Sequence, residues 1–233
     1  MTAASSAQAS TATPSPDSVR EDVAGWLDDT WSDDLTVGEW WRRLADAKLA
    51  NSMLPEPWGR GYSREQAVAV IAALTERGAL GPPGGIGMML TVPTLLAHGT
   101  EAQILQWVPR ILDGQDGWCQ LFSEPGAGSD LAGLQTRAER DGDEFVVTGQ
   151  KVWTSTGHLA DWGILIARTD QDQPKHRGIS YFAFPMHQEG VEVRPLREMT
   201  GRALFNEVFL DGARVAAGNL IGGLNDGWRV ANT

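Results

Sequence analysis

Apolar residues recur at two different spacings along this 233-residue chain, and the change falls near residue 115. Before it the spacing is helical. "SREQAVAVIAALTERG" opens with Ser63 and Gln66 in capping-box order, places Ala67, Val68, Ile71, Ala72 and Leu74 on one stripe, and stops at Gly78. "TEAQILQWVPRIL" repeats the device with Thr100 and Gln103, and Pro109 predicts a break or kink late in that segment. "VGEWWRRLADAKLA" is a third amphipathic run. These segments predict a small α-helical bundle over residues 19–116.

After "DGQDG" the period shortens. "WCQLFS", "QTRAERDGDEFVVTGQKVW", "DWGILIART", "GISYFAFP", "VEVRPL" and "FNEVFLDGARV" are short runs rich in β-branched and aromatic residues, separated by Gly, Asp, Pro and Asn. That pattern predicts an antiparallel β domain over residues 117–222, a small barrel or sandwich, with a hairpin turn at residues 141–143. The fold class expected is therefore α+β, a helical bundle followed by an antiparallel β-barrel. Residues 223–233 start a helix, with Asn225 or Asp226 as its cap, which suggests the beginning of a truncated helical domain. Residues 1–18 hold neither a basic residue nor an apolar stretch, so they are no secretory signal and predict a disordered tail.

Composition narrows the function. The hydrophobic fraction of 42% supports real cores, and no apolar run is long enough to span a membrane. A net charge of −11 argues against nucleic acid as the main partner. Cys119 is the single cysteine, which fits a reducing cytoplasm. Of the ten tryptophans, Trp40, Trp41, Trp118, Trp153 and Trp162 lie where they can pack at a ligand or interdomain surface; most tryptophans are simply core.

The stretch "FSEPGAGSD", residues 122–130, carries candidate chemistry. A glycine-rich turn after a strand exposes consecutive N–H groups, a cradle for an anion. It equally describes a surface turn. No lysine completes a phosphate loop and no helix pattern follows, so a nucleotide-binding α/β fold does not fit.

The wider context, "WCQLFSEPGAGSDLAGLQTRAERDGDEFVVTGQKVWTSTGHLADWGILIARTD", resembles the middle-domain signature of the acyl-CoA dehydrogenase family. "HGTEAQILQWVPRILDG", "REMTGRALFNEVFLDGARV" and "NLIGGLNDGWRVA" extend the resemblance over residues 19–233. It implies an FAD-dependent α,β-desaturation of an acyl-CoA thioester, of fatty acid or sterol side-chain type, with an electron-transfer flavoprotein as acceptor and a homo- or hetero-oligomer as the assembly. By the resemblance, Gln120, Phe122 and Ser123 line the flavin ring. Gly128 and Ser129 face its pyrophosphate, and Ser129 also lies near the acyl-CoA. Trp153, Thr154 and Ser155 flank the reactive edge, Trp153 packing on the ring. The family's base comes from a later helical domain, so no residue here is assigned as catalytic, and none to a metal. Glu124 is expected to satisfy local turn N–H groups, Asp130 is assigned no catalytic role, His158 is expected to be structural, and Cys119 to fill space. Lys175, His176 and Arg177 are read as a solvated hairpin tip or as partners of coenzyme A phosphates. The alternative function is a catalytically silent FAD- or acyl-CoA-binding fragment, or a subunit that needs a partner chain. Part of the acyl pocket floor is expected in residues 84–96, whose small and flexible side chains leave the acyl group open.

Overall fold

The computed structural model describes residues 13–233, which form two compact units dividing between Pro82 and Pro83. The expected tail falls mostly outside the described residues, and its last part is corrected: helix α1 (Pro16–Thr30) starts at residue 16. Ser15 caps it by accepting from the Ser18 N–H at 3.2 Å, and Pro16 sits at the first turn, where its missing N–H costs nothing.

In the first unit, α1 buries Val19, Val23 and Leu27 at four-residue spacing. Helix α2 (Val37–Asp46) carries a Thr36–Glu39 capping box and buries Trp40 and Leu44. Trp26 and Trp31 pack on the Trp40 ring at 5.6 and 4.6 Å between centroids. The Trp40 indole N–H finds the Leu80 carbonyl at 2.6 Å, so the buried ring leaves no polar atom unpaired. Helix α3 (Arg64–Glu76) has the expected Ser63–Gln66 box, and Gly78 follows it at φ 71°. Its buried face differs from the expected stripe: Gln66, Ala69, Val70, Ala73 and Leu74 are inside, while Val68 and Ile71 are exposed. A hydrogen bond near one end and an ion pair at the other set this phase. Gln66 donates to the Pro14 carbonyl at 2.6 Å, and Glu76 receives Arg20 at 2.5 and 3.1 Å.

The second unit opens with a π-helical turn (Gly87–Thr91) that runs into α4 (Val92–His98). Helix α5 (Glu101–Leu112) follows, with its Thr100–Gln103 box. Pro109 does not break α5. One turn from the end it removes a single backbone bond, and the Asp113 N–H still reaches the Pro109 carbonyl at 3.0 Å.

Seven strands then form one sheet: β1 (Trp118–Leu121), β2 (Arg137–Asp141), β3 (Glu144–Ser155), β4 (Trp162–Arg168), β5 (Ile179–Pro185), β6 (Val191–Leu196) and β7 (Phe205–Ala216). The order is β1-β4-β2-β3-β7-β6, with β5 also on β4. The sheet is curled and mixed, not wholly antiparallel as expected, because β1 runs parallel to β4 and β2 meets β4 through a parallel bridge, Arg137 to Arg168. The hairpin at residues 141–143 is present, with Gly142 at φ 63° joining β2 to β3. β4 and β5 are buried along nearly their whole length, which explains their unbroken apolar runs, whereas β7 buries alternate residues Asn206, Val208 and Leu210. The core holds Cys119, Leu121, Leu165, Phe182, Phe184 and Val208 among others. Trp107 of α5 meets Trp118 and Trp162 edge-on at 6.0 and 5.5 Å between centroids. A last short helix, α6 (Gly227–Val230), has Asp226 at its cap position, but the Asp226 carboxylate holds Arg229 and caps no N–H.

The compact units divide at Pro82–Pro83, so α4 and α5 belong with the sheet.

Candidate functional site

The candidate residues converge on the end of β1 and a kink in β3. β1 stops at Leu121, so Phe122 and Ser123 lie just past it. Pro125 and Gly126 then turn the chain, and Glu124 and Ala127 exchange backbone hydrogen bonds of 3.1 Å in both directions to close the turn. Gly128 and Ser129 are exposed beyond it. Gly128 has no left-handed φ, and nothing lies within 4 Å of where a Cβ would stand, so the fold itself does not require glycine there.

β3 supplies the other wall. Its pairing with β7 slips between Lys151 and Thr154, and Trp153 takes φ 61° at the slip. A bulky residue in the left-handed region costs about 1–2 kcal/mol, so the sheet holds this one against its preference. The indole is 62% exposed and meets Phe205 edge-on at 5.9 Å. The reading of Trp153 as core is thereby excluded. Thr154 is buried, its carbonyl accepting from Asn206 Nδ2 at 2.9 Å, while the Thr154 hydroxyl and Asn206 Oδ1 have no protein partner. Ser155 is half-buried opposite Phe205. The two walls touch directly: the Val152 N–H donates to the Ser123 carbonyl at 2.9 Å.

Gln120 and Phe122 share a small pocket of about 80 Å³ with Met89, Leu90, Thr94 and Tyr181. The π-turn and α4 thus form one side of it, and Phe122 packs edge-on against Tyr181 at 5.9 Å. Burial pushes the Tyr181 phenol up, outweighing the opposing effect of the neighbouring Thr94 side chain, so it stays protonated. Ser129 and Gly128 are not among the residues of this pocket.

Glu124 satisfies backbone N–H groups, but ones eleven and twelve residues on rather than those of its own turn as expected. Its carboxylate accepts from the Gln135 N–H at 2.6 Å and the Thr136 N–H at 2.9 Å. Sequence reading missed its main partner, Lys151, whose ammonium is fully buried and lies 2.9 Å away. Burial pushes Glu124 up, but the Lys151 charge and the donated hydrogen bonds outweigh it and hold the carboxyl below its usual range. Burial dominates at Lys151 and lowers it to about 8, against the pull of Glu124. Asp130 is ion-paired with Lys175.

The β4–β5 tip is not simply solvated. His176 packs on Trp228 at 4.7 Å, and Gln135, Arg137, Arg168, Gln171, Gln173 and Lys175 line a polar pocket of about 380 Å³. Arg177 is exposed. The Arg168 guanidinium donates to the carbonyls of Ala132 at 2.8 Å and Leu134 at 3.3 Å, holding the segment after Ser129. His158 is exposed on a short turn beside pocket residues Met186 and His187. Burial pushes the Cys119 thiol up to about 12, which leaves it inert as a small filler.

Residues 16–115 match the sequence model of the acyl-CoA dehydrogenase N-terminal domain, and residues 119–212 that of the middle domain. The chain belongs to the acyl-CoA dehydrogenase family. Acyl-CoA dehydrogenase FadE34 of Mycobacterium tuberculosis is 50% identical over 190 residues, 82% of this chain and 27% of the relative. The Tcur3481-Tcur3483 steroid ACAD superposes with a TM-score of 0.74 at 31% identity, over 94% of this chain and 59% of that one. The ChsE4-ChsE5 complex from Mycobacterium tuberculosis gives a TM-score of 0.75 at 29% identity, over 97% and 60%. The chain thus spans well under two thirds of each. Among the described residues no helix is long and apolar enough to cross a membrane.

Proposed function

We propose that this chain supplies the flavin-holding part of an FAD-dependent acyl-CoA dehydrogenase that desaturates an acyl-CoA thioester between Cα and Cβ. The observation that carries the reading is Trp153: an aromatic face held out of the core, in a costly backbone conformation, directly beside the β1 end. Strain of this kind persists where a site needs it. The residues fit an isoalloxazine. The Gln120–Ser123 segment offers backbone donors and acceptors to a polar ring edge, Trp153 offers a stacking face, and the unpartnered Thr154 hydroxyl is a buried group of the same segment. Gly128 and Ser129 offer N–H and O–H donors to a pyrophosphate.

The chemistry that a bound FAD would supply here is acceptance of the β-hydrogen as hydride. The chain's own residues bind and orient: the strand end fixes the ring edge, and Trp153 shields one face from water. The pocket of Gln120, Met89, Leu90 and Thr94 borders the acyl group, and the Arg137, Arg168 and Lys175 pocket offers positive charge to the anionic part of a thioester carrier. The names of the solved relatives favour a sterol-derived acyl chain and a mixed assembly, so a second reading is a subunit that works beside a different chain, with an electron-transfer flavoprotein as acceptor.

The test is reconstitution. Purified protein is titrated with FAD, then with fatty and steroid acyl-CoA esters, alone and with candidate partner chains. Flavin uptake and bleaching of its visible band by an acyl-CoA are expected; no uptake under any combination overturns the reading.

A further inference from the structure

We infer that the Lys151–Glu124 pair is a positioning element that sets the spacing between the two walls of the proposed flavin site; this rests on the flavin reading above. Lys151 Nζ donates to the Phe122 carbonyl at 3.1 Å and to Glu124 Oε1 at 2.9 Å. The next residue along β3, Val152, gives its N–H to the Ser123 carbonyl at 2.9 Å. Side chain and backbone of consecutive β3 residues thus grip consecutive carbonyls at the end of β1. The next residue again is Trp153, at the register slip. Glu124 carries the grip onward to Gln135 and Thr136, where the chain enters β2. There the contact is too tight for adjustment: a Cβ on Gly149 of β3 would stand 2.7 Å from the Thr136 Cα.

Stability alone does not call for this arrangement. Burying two charges costs several kcal/mol per ion, and well-packed apolar replacements of such pairs are often neutral or stabilising. What an apolar pair cannot do is hold the Phe122 carbonyl and the turn at a fixed distance from β3. Lys151 and Glu124 act through Phe122, Ser123 and Trp153, holding the segment that faces the ring rather than the ring itself.

The experiment compares the unaltered protein with Lys151→Met, with the double variant Lys151→Met/Glu124→Met, and with Val215→Ala. Val215 is buried at the far end of β7 and serves as a control for lost stability alone. Urea midpoints are measured without flavin, and FAD affinity and the shape of the flavin visible band are measured by titration. Both Lys151 variants are expected to bind FAD at least about tenfold more weakly than Val215→Ala, with an altered visible band, even where the double variant recovers the unaltered urea midpoint. FAD binding in the double variant equal to that of the unaltered protein, or losses no larger than those of Val215→Ala, overturns the inference while leaving the flavin reading intact. No FAD uptake by the unaltered protein removes both.

Discussion

Replacing Trp153 by alanine and by glycine separates a core tryptophan from one displayed at a strained position. In an ordinary strand Gly is less stable than Ala by about 0.5–1 kcal/mol. At φ 61° the order reverses, since any residue with a Cβ bears about 1–2 kcal/mol in the left-handed region and Gly bears almost none. The difference leaves Trp153→Gly more stable than Trp153→Ala by up to about 1.5 kcal/mol. Removing the indole itself forfeits an edge-on contact with Phe205, worth about 0.5–1.5 kcal/mol. A truly buried tryptophan would lose about 3–5 kcal/mol. Trp153→Gly is therefore expected within about 1 kcal/mol of the unaltered protein, with relief of strain offsetting the lost contact. Urea denaturation followed by circular dichroism reads both differences as midpoint shifts of a few tenths of a molar. If alanine proves the more stable of the two, or if either variant loses about 3 kcal/mol or more, the indole is structural and the displayed face is not a docking surface. On the flavin reading, both variants lose FAD uptake while keeping their fold.

Three further outcomes follow from the same unit. Gly163→Ala puts a Cβ 2.7 Å from Leu121 Cδ1 and 3.4 Å from the Cys119 sulfur, inside the β1–β4 contact, and should cost about 1–3 kcal/mol in urea stability; a neutral result would mean β1 can slide. Gln103→Leu removes donors at 2.8 Å to the Gly218 and Leu220 carbonyls and the side-chain acceptor for the Thr100 N–H, and about 1–2 kcal/mol should be lost, read from the thermal midpoint. Lys151 titrates near 8 folded and near 10.5 unfolded, so the unfolded chain holds more protons between those values and its contribution to stability rises with pH there. Cys119, raised to about 12 from 9.0, takes stability away above pH 9.0. The clean window is thus pH 8 to 9, where the stability of the unaltered protein should rise relative to Lys151→Met; a flat or falling difference would place the ammonium outside the core.

Features set by a few neighbouring residues were legible in the sequence. The Ser63–Gln66 and Thr100–Gln103 boxes formed because each needs only one turn of helix. The phase of α3 was not legible: in "AVAVIAAL" nearly every position is apolar, so no polar face fixes the rotation, and contacts made by Gln66 and Glu76 decide it. Strand positions could be read from composition, but the parallel join of β1 to β4 brings together residues over 40 apart and leaves no local mark; Trp118 faces Trp162. Within the candidate site, the resemblance pointed to Trp153, whereas its left-handed backbone depends on a slip between two strands. Lys151 looks like any polar strand residue, and only the tertiary fold reveals that its partner is Glu124.

Where the chain divides also bears on how the site works. The N-terminal family match runs to residue 115, which assigns α4 and α5 to the front domain. Physically they are part of the sheet's unit. Gln103 ties α5 to the segment after β7, and Trp107 closes a tryptophan cluster with the first residues of β1 and β4. The π-turn and α4 then contribute Met89, Leu90 and Thr94 to the same pocket as Gln120 and Phe122. A π-turn widens a helix by one residue and is commonly found at functional sites; here it lies against the strand end that the flavin reading requires. On the flavin reading, the residues proposed for the acyl side and for the flavin side lie in one compact unit, so core packing within residues 83–233 couples them. A change in α4 or α5 therefore acts on the strand end through the shared core, and the middle-domain match alone is too short to describe the site.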